Sequence, residues 1–158
     1  RILVDPFCGS GTFPIEAAMM AANIAPGWKR DFTAMRWKHL IPEEEWKYAR
    51  EEAGDGIITD IRTDIQGYDI DDKMVEISRE NARLAGVDHL IHFQRRGVDQ
   101  LSHNKKYGFI ITNPPYGERL EEEEALGLKA AKNRKIYNGM MKTYFYQFPG
   151  PKPALRKG

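Results

Sequence analysis

Residues 112 to 120, TNPPYGERL, contain the residue types that could perform chemistry most directly. An apolar strand runs into two prolines, which cannot donate to a sheet ladder and therefore end it. The Asn113 side-chain oxygen and the rigidly held Pro114 carbonyl are two acceptors that can hold an exocyclic nucleobase amine pyramidal and turn its lone pair toward an electrophile. Tyr116 offers a flat surface for a base taken out of its stack. The segment therefore predicts group transfer to a nucleobase amine, with Asn113, Pro114 and Tyr116 as catalytic residues.

A glycine turn near the start of the chain, VDPFCGSGTFP, predicts a ligand site between a strand and a helix. Gly9 and Gly11 let the backbone approach a ligand, and the helix that follows offers free N–H groups. A dinucleotide fingerprint would need a third glycine where this chain has Pro14, and a phosphate-binding P-loop would need a Gly-Lys-Ser/Thr sequence. A ligand that contains adenosine without phosphates fits the turn better, which indicates S-adenosylmethionine.

The segment GYDIDD, after the second predicted strand, supplies an acid that could bind the ribose of such a ligand. Asp69 lies 58 residues after Gly11, much further than the roughly 20 residues expected of a dinucleotide fold. At the carboxyl end of its strand it can accept both ribose hydroxyls, and Ile70 can pack on the adenine. Cys8 lies within the glycine turn and is interpreted as a small packing residue rather than a nucleophile.

The elements that must position these residues alternate between strand and helix, which predicts an α/β fold with a parallel, doubly wound sheet. Helices are predicted from Pro14 onward, at about Pro42–Ala53, and from Lys73 to Gly86 with a cap at Asp71 or Asp72. The intervening residues 25–56 are irregular and rich in Trp and charge. Strands are predicted at Ile2–Asp5, Ile65–Ile70, Leu90–Gln94, Tyr107–Thr112 and Met140–Phe148.

Composition narrows the class of protein. The 158 residues are 41% hydrophobic and suit one domain with a real core. A single cysteine cannot form an internal disulfide, which predicts a reducing, cytoplasmic setting. We expect neither a membrane span nor a metal site, since long apolar runs and histidines at ligand spacing are both lacking. Residues 125–158 carry eight Lys/Arg and no Asp/Glu, so this tail either binds a polyanion or is simply solvated.

Four segments in combination resemble the methyltransferase domain of THUMP-containing RNA guanine-N2 methyltransferases, closest to the bacterial 23S rRNA branch: DPFCGSGTFPIEAAMMAANIAPGWKRDF, GYDID, TNPPYGERL and NRKIYNG. The resemblance covers nearly the whole chain, and some members are described as N6-adenine-specific DNA methylases. It implies a class I methyltransferase domain over residues 1–158 that uses S-adenosylmethionine and acts on RNA. The residues that it implies for the cofactor, together with those predicted above, are Asp5, Phe7, Gly9, Gly11, Thr12, Asp69, Ile70 and Asp99.

Three features depart from that family. Gly97 stands where the family carries an acid for the adenine amino group, so Asp99 or a backbone group is expected to replace it. A helix–strand–helix segment of about 45 residues is expected to be absent after residue 124, which would leave the sheet incomplete with an exposed edge. The chain also starts on a strand without an initiator Met, so we expect a fragment that lacks the THUMP domain.

The residues alone leave the substrate open. The NPPY motif serves any exocyclic amine, so a tRNA guanine-N2 enzyme and a DNA adenine-N6 enzyme remain alternatives to an rRNA guanine-N2 enzyme. A non-catalytic RNA-binding module is the alternative from another class. Basic residues expected to flank the active-site face and meet phosphates are Arg119, Lys132, Arg134, Lys135 and Lys142.

Overall fold

A computed structural model describes residues 1–102, 107–113, 135–137 and 141–147 of the chain. Within these residues six strands form one sheet in the order β3-β2-β1-β4-β6-β5. β1 pairs in parallel with both β2 and β4, β2 pairs in parallel with β3, and β6 is antiparallel to β4 and β5. The strands are β1 Ile2–Asp5, β2 Ile65–Asp69, β3 Ile91–Arg95, β4 Tyr107–Thr112, β5 Lys135–Tyr137 and β6 Met141–Gln147.

The described helices connect the parallel strands. α1 and α3 contact each other and the strands β1 to β3, so both cover one face of the sheet. Three short 3₁₀ helices lie in the connections, at Thr33–Arg36, Asp88–Leu90 and Val98–Gln100. The helices are α1 Thr12–Ala21, α2 Glu43–Asp55 and α3 Asp72–Ala85.

The predicted α/β class with a parallel sheet is confirmed, and the predicted strand and helix bounds agree with the structure to within about two residues. β5 was not predicted, because three residues with one apolar side chain at the centre give no period that identifies a strand. The antiparallel direction of β6 was not predicted either. Every residue of β4 is paired with β6, from Tyr107 opposite Gln147 to Thr112 opposite Lys142.

The order of the strands creates a crevice beside β1. The chain goes from β1 to β2 and β3 on one side and comes back to β4 on the other side. Helices cannot cover both sides of such a reversal, and ligands of open α/β sheets bind there, beyond the carboxyl ends of the strands. The glycine turn and Asn113, which directly follows β4, both lie at this reversal.

Apolar side chains on both faces of β1 hold the sheet together. Ile2 and Val4 are buried with Ile110 of β4, as expected for a central parallel strand that is covered on both sides. On the opposite face, Leu3 packs against the cluster around Ala18 of α1. β1 is therefore the rigid element from which the glycine turn extends.

The ends of α3 are fixed by the residues that the sequence suggested. The Asp71 side chain accepts a hydrogen bond from the Lys73 N–H at 2.9 Å, which satisfies one of the free donors of the first turn. Gly86 ends the helix in the left-handed region with φ 78°. Because α3 directly follows β2, the cap also fixes the short connection that follows Asp69.

The irregular segment between α1 and β2 is held by aromatic contacts. The rings of Phe32 and Trp46 stack with centroids 6.1 Å apart. Trp28 lies so close to Gly54 of α2 that a Cβ there would be 2.6 Å from the indole ring. α2 has no buried residue of its own, so these aromatic contacts are what connect α2 to the rest of the segment.

Candidate active site

The carboxyl ends of β1, β2 and β4 bring the predicted site residues to one edge of the sheet. Asp5 ends β1 and pairs with Gly67 of β2, two residues before Asp69. Thr112 ends β4, which is the other neighbour of β1, and Asn113 follows directly. The cofactor residues predicted from the first half of the chain and Asn113, predicted to be catalytic, therefore lie at one edge of the sheet, although more than 100 residues separate Asp5 from Asn113 in the sequence.

The glycine turn between β1 and α1 is held from two sides. The Gly9 N–H donates to Asp69 Oδ2 at 3.0 Å, so β2 supports the turn through a side chain. From α3, Asn81 Nδ2 donates to the Ser10 carbonyl at 2.9 Å. Sequence reasoning missed Asn81, and the signal was a polar residue on the side of an amphipathic helix that faces the sheet.

The two glycines of the turn have different roles. Both have positive φ, 51° at Gly9 and 88° at Gly11, a conformation that favours glycine. Among the described residues, a Cβ at Gly9 would have nothing within 4 Å, whereas one at Gly11 would lie 2.9 Å from Ser78 Cβ and 3.1 Å from the Phe93 ring. Gly9 therefore faces open space where a ligand can approach. Gly11 allows α1 to pack closely against α3 and β3, and Thr12 begins the helix as an exposed residue.

Asp69 lies at the centre of the crevice and uses both carboxylate oxygens. Oδ2 accepts from the glycine turn, and Oδ1 accepts from the Asp71 N–H at 3.0 Å. The backbone around it is held from β3, since the Arg96 N–H donates to the Asp69 carbonyl at 2.8 Å and Arg95 Nε donates to the Ile70 carbonyl at 3.0 Å. Ile70 is 67% exposed and presents an apolar surface beside the carboxylate.

Asp5 is buried beneath the turn, with a relative exposure of 1%. Its Oδ1 accepts from the Thr112 hydroxyl at 2.7 Å and from the Phe7 N–H at 3.1 Å. Burial raises the pKa of the Asp5 carboxyl from 3.8 to about 6; the two hydrogen bonds oppose this rise in pKa, and the nearby charge of Asp69 adds to it. Asp5 therefore shapes the turn and ties it to β4.

The Asp99 carboxylate occupies the place that a side chain at position 97 would need. A Cβ built on Gly97 would collide with Asp99 Oδ1. Both residues lie where the chain leaves β3, and the Val98–Gln100 3₁₀ helix folds Asp99 back over Gly97. An acidic group is thus present at this end of β3 although position 97 has no side chain, which supports the predicted replacement.

Cys8 packs into the core below the turn. It is 6% exposed and belongs to a cluster with Phe93 and residues of α3. Burial, together with the nearby charges of Asp5 and Asp69, raises the pKa of the Cys8 thiol to about 12. A thiol that stays protonated at neutral pH is a poor nucleophile, which supports its interpretation as a packing residue. Gly67 makes the room, since a Cβ there would lie 2.6 Å from the Phe93 ring.

Asn113 is exposed at the mouth of the crevice, directly after the buried Thr112. The other two predicted catalytic residues, Pro114 and Tyr116, lie outside the described residues. Of the predicted basic residues, Lys142 is paired in register with Thr112, so its backbone lies at the same edge of the sheet as Asn113. Lys135 is one strand further out, opposite Thr143. Arg119, Lys132 and Arg134 lie outside the described residues.

The described residues contain neither a candidate membrane span nor a metal-binding cluster. No helix in this part of the chain is long and apolar enough to cross a membrane. Over the same residues, no group of three or more His, Cys, Asp or Glu side chains is placed to hold a metal ion.

The chain is similar to a known protein family and to several of its members. Residues 1–143 match the UPF0020 family, described as RMKL-like, methyltransferase domain. The chain is 40% identical to the Bacillus subtilis protein YpsC, named as a proposed RNA methyltransferase, over 180 residues that cover 94% of this chain and 46% of YpsC. It is 33% identical to the ribosomal RNA large subunit methyltransferase K/L of Legionella pneumophila, covering 91% of this chain and 25% of that enzyme.

Among solved structures, SMU.472, a proposed methyltransferase crystallised with SAH (S-adenosylhomocysteine), superposes with a TM-score of 0.76. It is 36% identical, and the match covers 96% of this chain and 48% of that chain. This chain therefore spans half or less of the length of each of these proteins. The alignment with YpsC is also longer than the 158 residues of this chain, so YpsC has residues inside the matched region that this chain lacks.

Proposed function

The chain belongs to the family described as RMKL-like, methyltransferase domain, and on this premise we propose that it methylates the exocyclic N2 amine of a guanine in 23S rRNA. S-adenosylmethionine would supply the methyl group as an electrophile. One observation supports the proposal: Gly9, the Asp69 carboxylate and Asn113 follow or end the neighbouring parallel strands β1, β2 and β4, at one edge of the sheet. The relative crystallised with SAH supports the choice of cofactor.

The residues of the crevice fit the cofactor in shape and chemistry. The space over Gly9 lets the ligand contact the backbone of the turn. Asp69 accepts one backbone N–H on each oxygen, and each oxygen has a further lone pair that can accept a ribose hydroxyl. Ile70, which is 67% exposed, offers an apolar surface on which the adenine ring could pack. Asp99 is the acid at the end of β3 that could accept a hydrogen bond from the adenine amino group.

The catalytic step is proposed to depend on hydrogen-bond geometry at Asn113. Its side-chain oxygen and the Pro114 carbonyl would accept the two hydrogens of the target amine, so that the nitrogen lone pair points toward the methyl group. Fixed acceptors placed where positive charge develops on the amine lower the barrier because they need no reorganisation during the reaction. Tyr116 would stack on the extruded base, which costs a few kcal/mol to unstack.

The proposed substrate is RNA, which agrees with the printed names of YpsC and of the Legionella enzyme. Such a substrate would be met in the cytoplasm. The position of Lys142 opposite Thr112 places a basic residue at the catalytic edge of the sheet, where it could approach a phosphate near the target base. Residues 125–158, with eight basic and no acidic residues, would extend this contact.

Two substitutions test the mechanism, because they affect different steps. Asp69→Ala should weaken the binding of SAH by tenfold or more, since it removes a charged acceptor of the ribose. Asn113→Ala should leave that binding unchanged and lower the rate of methyl transfer by at least about a hundredfold, as loss of one transition-state acceptor does elsewhere. Calorimetry with SAH measures the first effect, and transfer of a labelled methyl group to unmodified rRNA measures the second.

The position of the label distinguishes the substrates. Mass mapping of the labelled RNA should place the methyl group on the N2 of a guanine, while label on tRNA or on adenine N6 of DNA would support the alternatives named above. An Asn113→Ala variant that methylates RNA at the normal rate would contradict the mechanism. Absence of SAH binding by the wild-type protein would favour a non-catalytic RNA-binding module.

A further inference from the structure

We infer that Thr112 is a positioning residue for Asn113, and that it acts through its buried hydrogen bond to Asp5. The inference rests on the proposed function, since it concerns the rate of the same methyl transfer. Thr112 ends β4, is 1% exposed and cannot touch a bound nucleobase through its buried hydroxyl. What it can do is fix the direction in which the chain leaves the strand.

The hydrogen bond joins β1 and β4 beyond their last registered backbone pair. The parallel register between the two strands runs from Ile2 opposite Gly108 to Val4 opposite Ile110. Past that pair, the Thr112 hydroxyl donates to Asp5 Oδ1 at 2.7 Å. This contact therefore connects the end of β4 to β1 at the point just before Asn113.

The environment of the contact makes it stronger than a hydrogen bond at the surface. Both residues are 1% exposed, and an ionised acceptor in a region of low dielectric forms short, strong hydrogen bonds. The same oxygen also accepts from the Phe7 N–H at 3.1 Å. Asp5 thus joins the start of the glycine turn to the end of β4, and it fixes the distance between the cofactor turn and Asn113.

Only one of the two hydrogen bonds depends on Thr112, and this makes the residue a selective probe. If the hydroxyl is removed, Asp5 keeps its bond to Phe7, and the Gly9–Asp69 contact is unaffected. The cofactor side of the crevice should therefore stay intact while the Asn113 side loses its link to β1. Misplacement of a reacting group by about 1 Å can lower a rate about a hundredfold.

The experiment compares Thr112→Val, which has nearly the same shape but no hydroxyl, with Thr112→Ser, which keeps the hydroxyl. We expect Thr112→Val to lower kcat by about tenfold to a hundredfold, while its SAH dissociation constant changes by no more than about twofold. Thr112→Ser should retain most of the wild-type kcat. Thermal unfolding with and without SAH confirms that each variant is folded at the assay temperature.

Each outcome decides the inference. It is overturned if Thr112→Val transfers methyl groups at the wild-type rate, if Thr112→Ser is as slow as Thr112→Val, or if SAH affinity falls as much as kcat. The last two outcomes would assign Thr112 a purely structural role. The same conclusion would follow if Thr112→Val failed to fold and Thr112→Ser folded but lost about tenfold or more in kcat. An inactive wild-type protein would instead refute the proposed function, and with it this role of Thr112.

Discussion

The two glycines of the turn between β1 and α1 should respond to alanine in opposite ways. Gly11→Ala places a methyl group 2.9 Å from Ser78 Cβ and 3.1 Å from the Phe93 ring, on a backbone with φ 88°. Gly9→Ala places the methyl group in open space, on a backbone with φ 51°. We therefore expect the first variant to lose stability and the second to lose ligand affinity.

The magnitudes follow from two contributions. A left-handed backbone costs a residue with a Cβ about 1–2 kcal/mol, and this cost applies at both positions. At Gly11 the new methyl group also overpacks the contact between α1, α3 and β3, which costs about 1–3 kcal/mol more. The free energy of unfolding should thus fall by about 1–2 kcal/mol for Gly9→Ala and by about 2–5 kcal/mol for Gly11→Ala. For a chain of this size, each 1 kcal/mol lowers Tm by about 2–4 °C.

Gly86→Ala is the matched control for the backbone contribution. Its φ is 78°, and within the part of the chain that the structure describes a new Cβ would meet just the end of the flexible Lys29 side chain, at 3.7 Å. It should therefore lose about as much stability as Gly9→Ala, with no effect on the ligand because it lies at the far end of α3.

Thermal unfolding of the three variants, each with and without SAH, measures both effects in one series. A ligand that binds only the folded state raises Tm by an amount that grows with the logarithm of its affinity, so Gly9→Ala should lose most of the SAH-dependent rise in Tm. Gly86→Ala should retain all of that rise. The reasoning is refuted if Gly11→Ala is no less stable than Gly86→Ala, or if Gly9→Ala binds SAH as tightly as the wild-type protein.

Two further predictions concern acids of the crevice. Because burial raises the pKa of Asp5 from 3.8 to about 6, the folded state holds this proton more tightly than the unfolded state; the stability that it contributes is present at low pH and is lost as pH rises through about 6. The unfolding free energy of wild-type protein relative to Asp5→Asn should therefore fall by about 2 kcal/mol between pH 4 and pH 7, and a difference that does not change with pH would contradict the assigned burial. Asp99→Ala should weaken SAH binding by tenfold or more, and Gly97→Ala should do the same because its methyl group displaces the Asp99 carboxylate; unchanged calorimetric affinity in both variants would remove Asp99 from the site.

The sheet and the positions of its site residues were predictable because they follow from local patterns. β1 and β4 are apolar runs bounded by a glycine turn and by two prolines, and parallel strands place their carboxyl ends together. α3 carried a cap at each end, Asp71 and Gly86, and both caps are used. Such signals depend on neighbouring residues only, so a single sequence is enough to read them.

The details that could not be predicted depend on contacts between distant residues. The motif gives Gly9 and Gly11 the same meaning, and only the packing of α3 and β3 shows that one faces open space and the other faces protein. The direction of β6 could not be predicted either, since the sequence of a strand is compatible with parallel and with antiparallel pairing. The direction becomes known only from its pairing with β4. The support of the turn by Asn81 joins residues 71 positions apart, a distance at which no periodic pattern operates.

Asp5 and Asp69 show why chemistry at a strand end needs the fold for its interpretation. Both are acids at the ends of adjacent parallel strands, and the motif alone would let either bind the ribose. Asp5 is 1% exposed beneath the turn, so its burial keeps a ligand hydroxyl away from the carboxylate. Asp69 accepts one backbone N–H on each oxygen and lies beside the exposed Ile70, and each of its oxygens has a further lone pair that can accept a ligand hydroxyl. We therefore propose the ligand role for Asp69, while Asp5 connects the glycine turn to the end of β4, directly before Asn113.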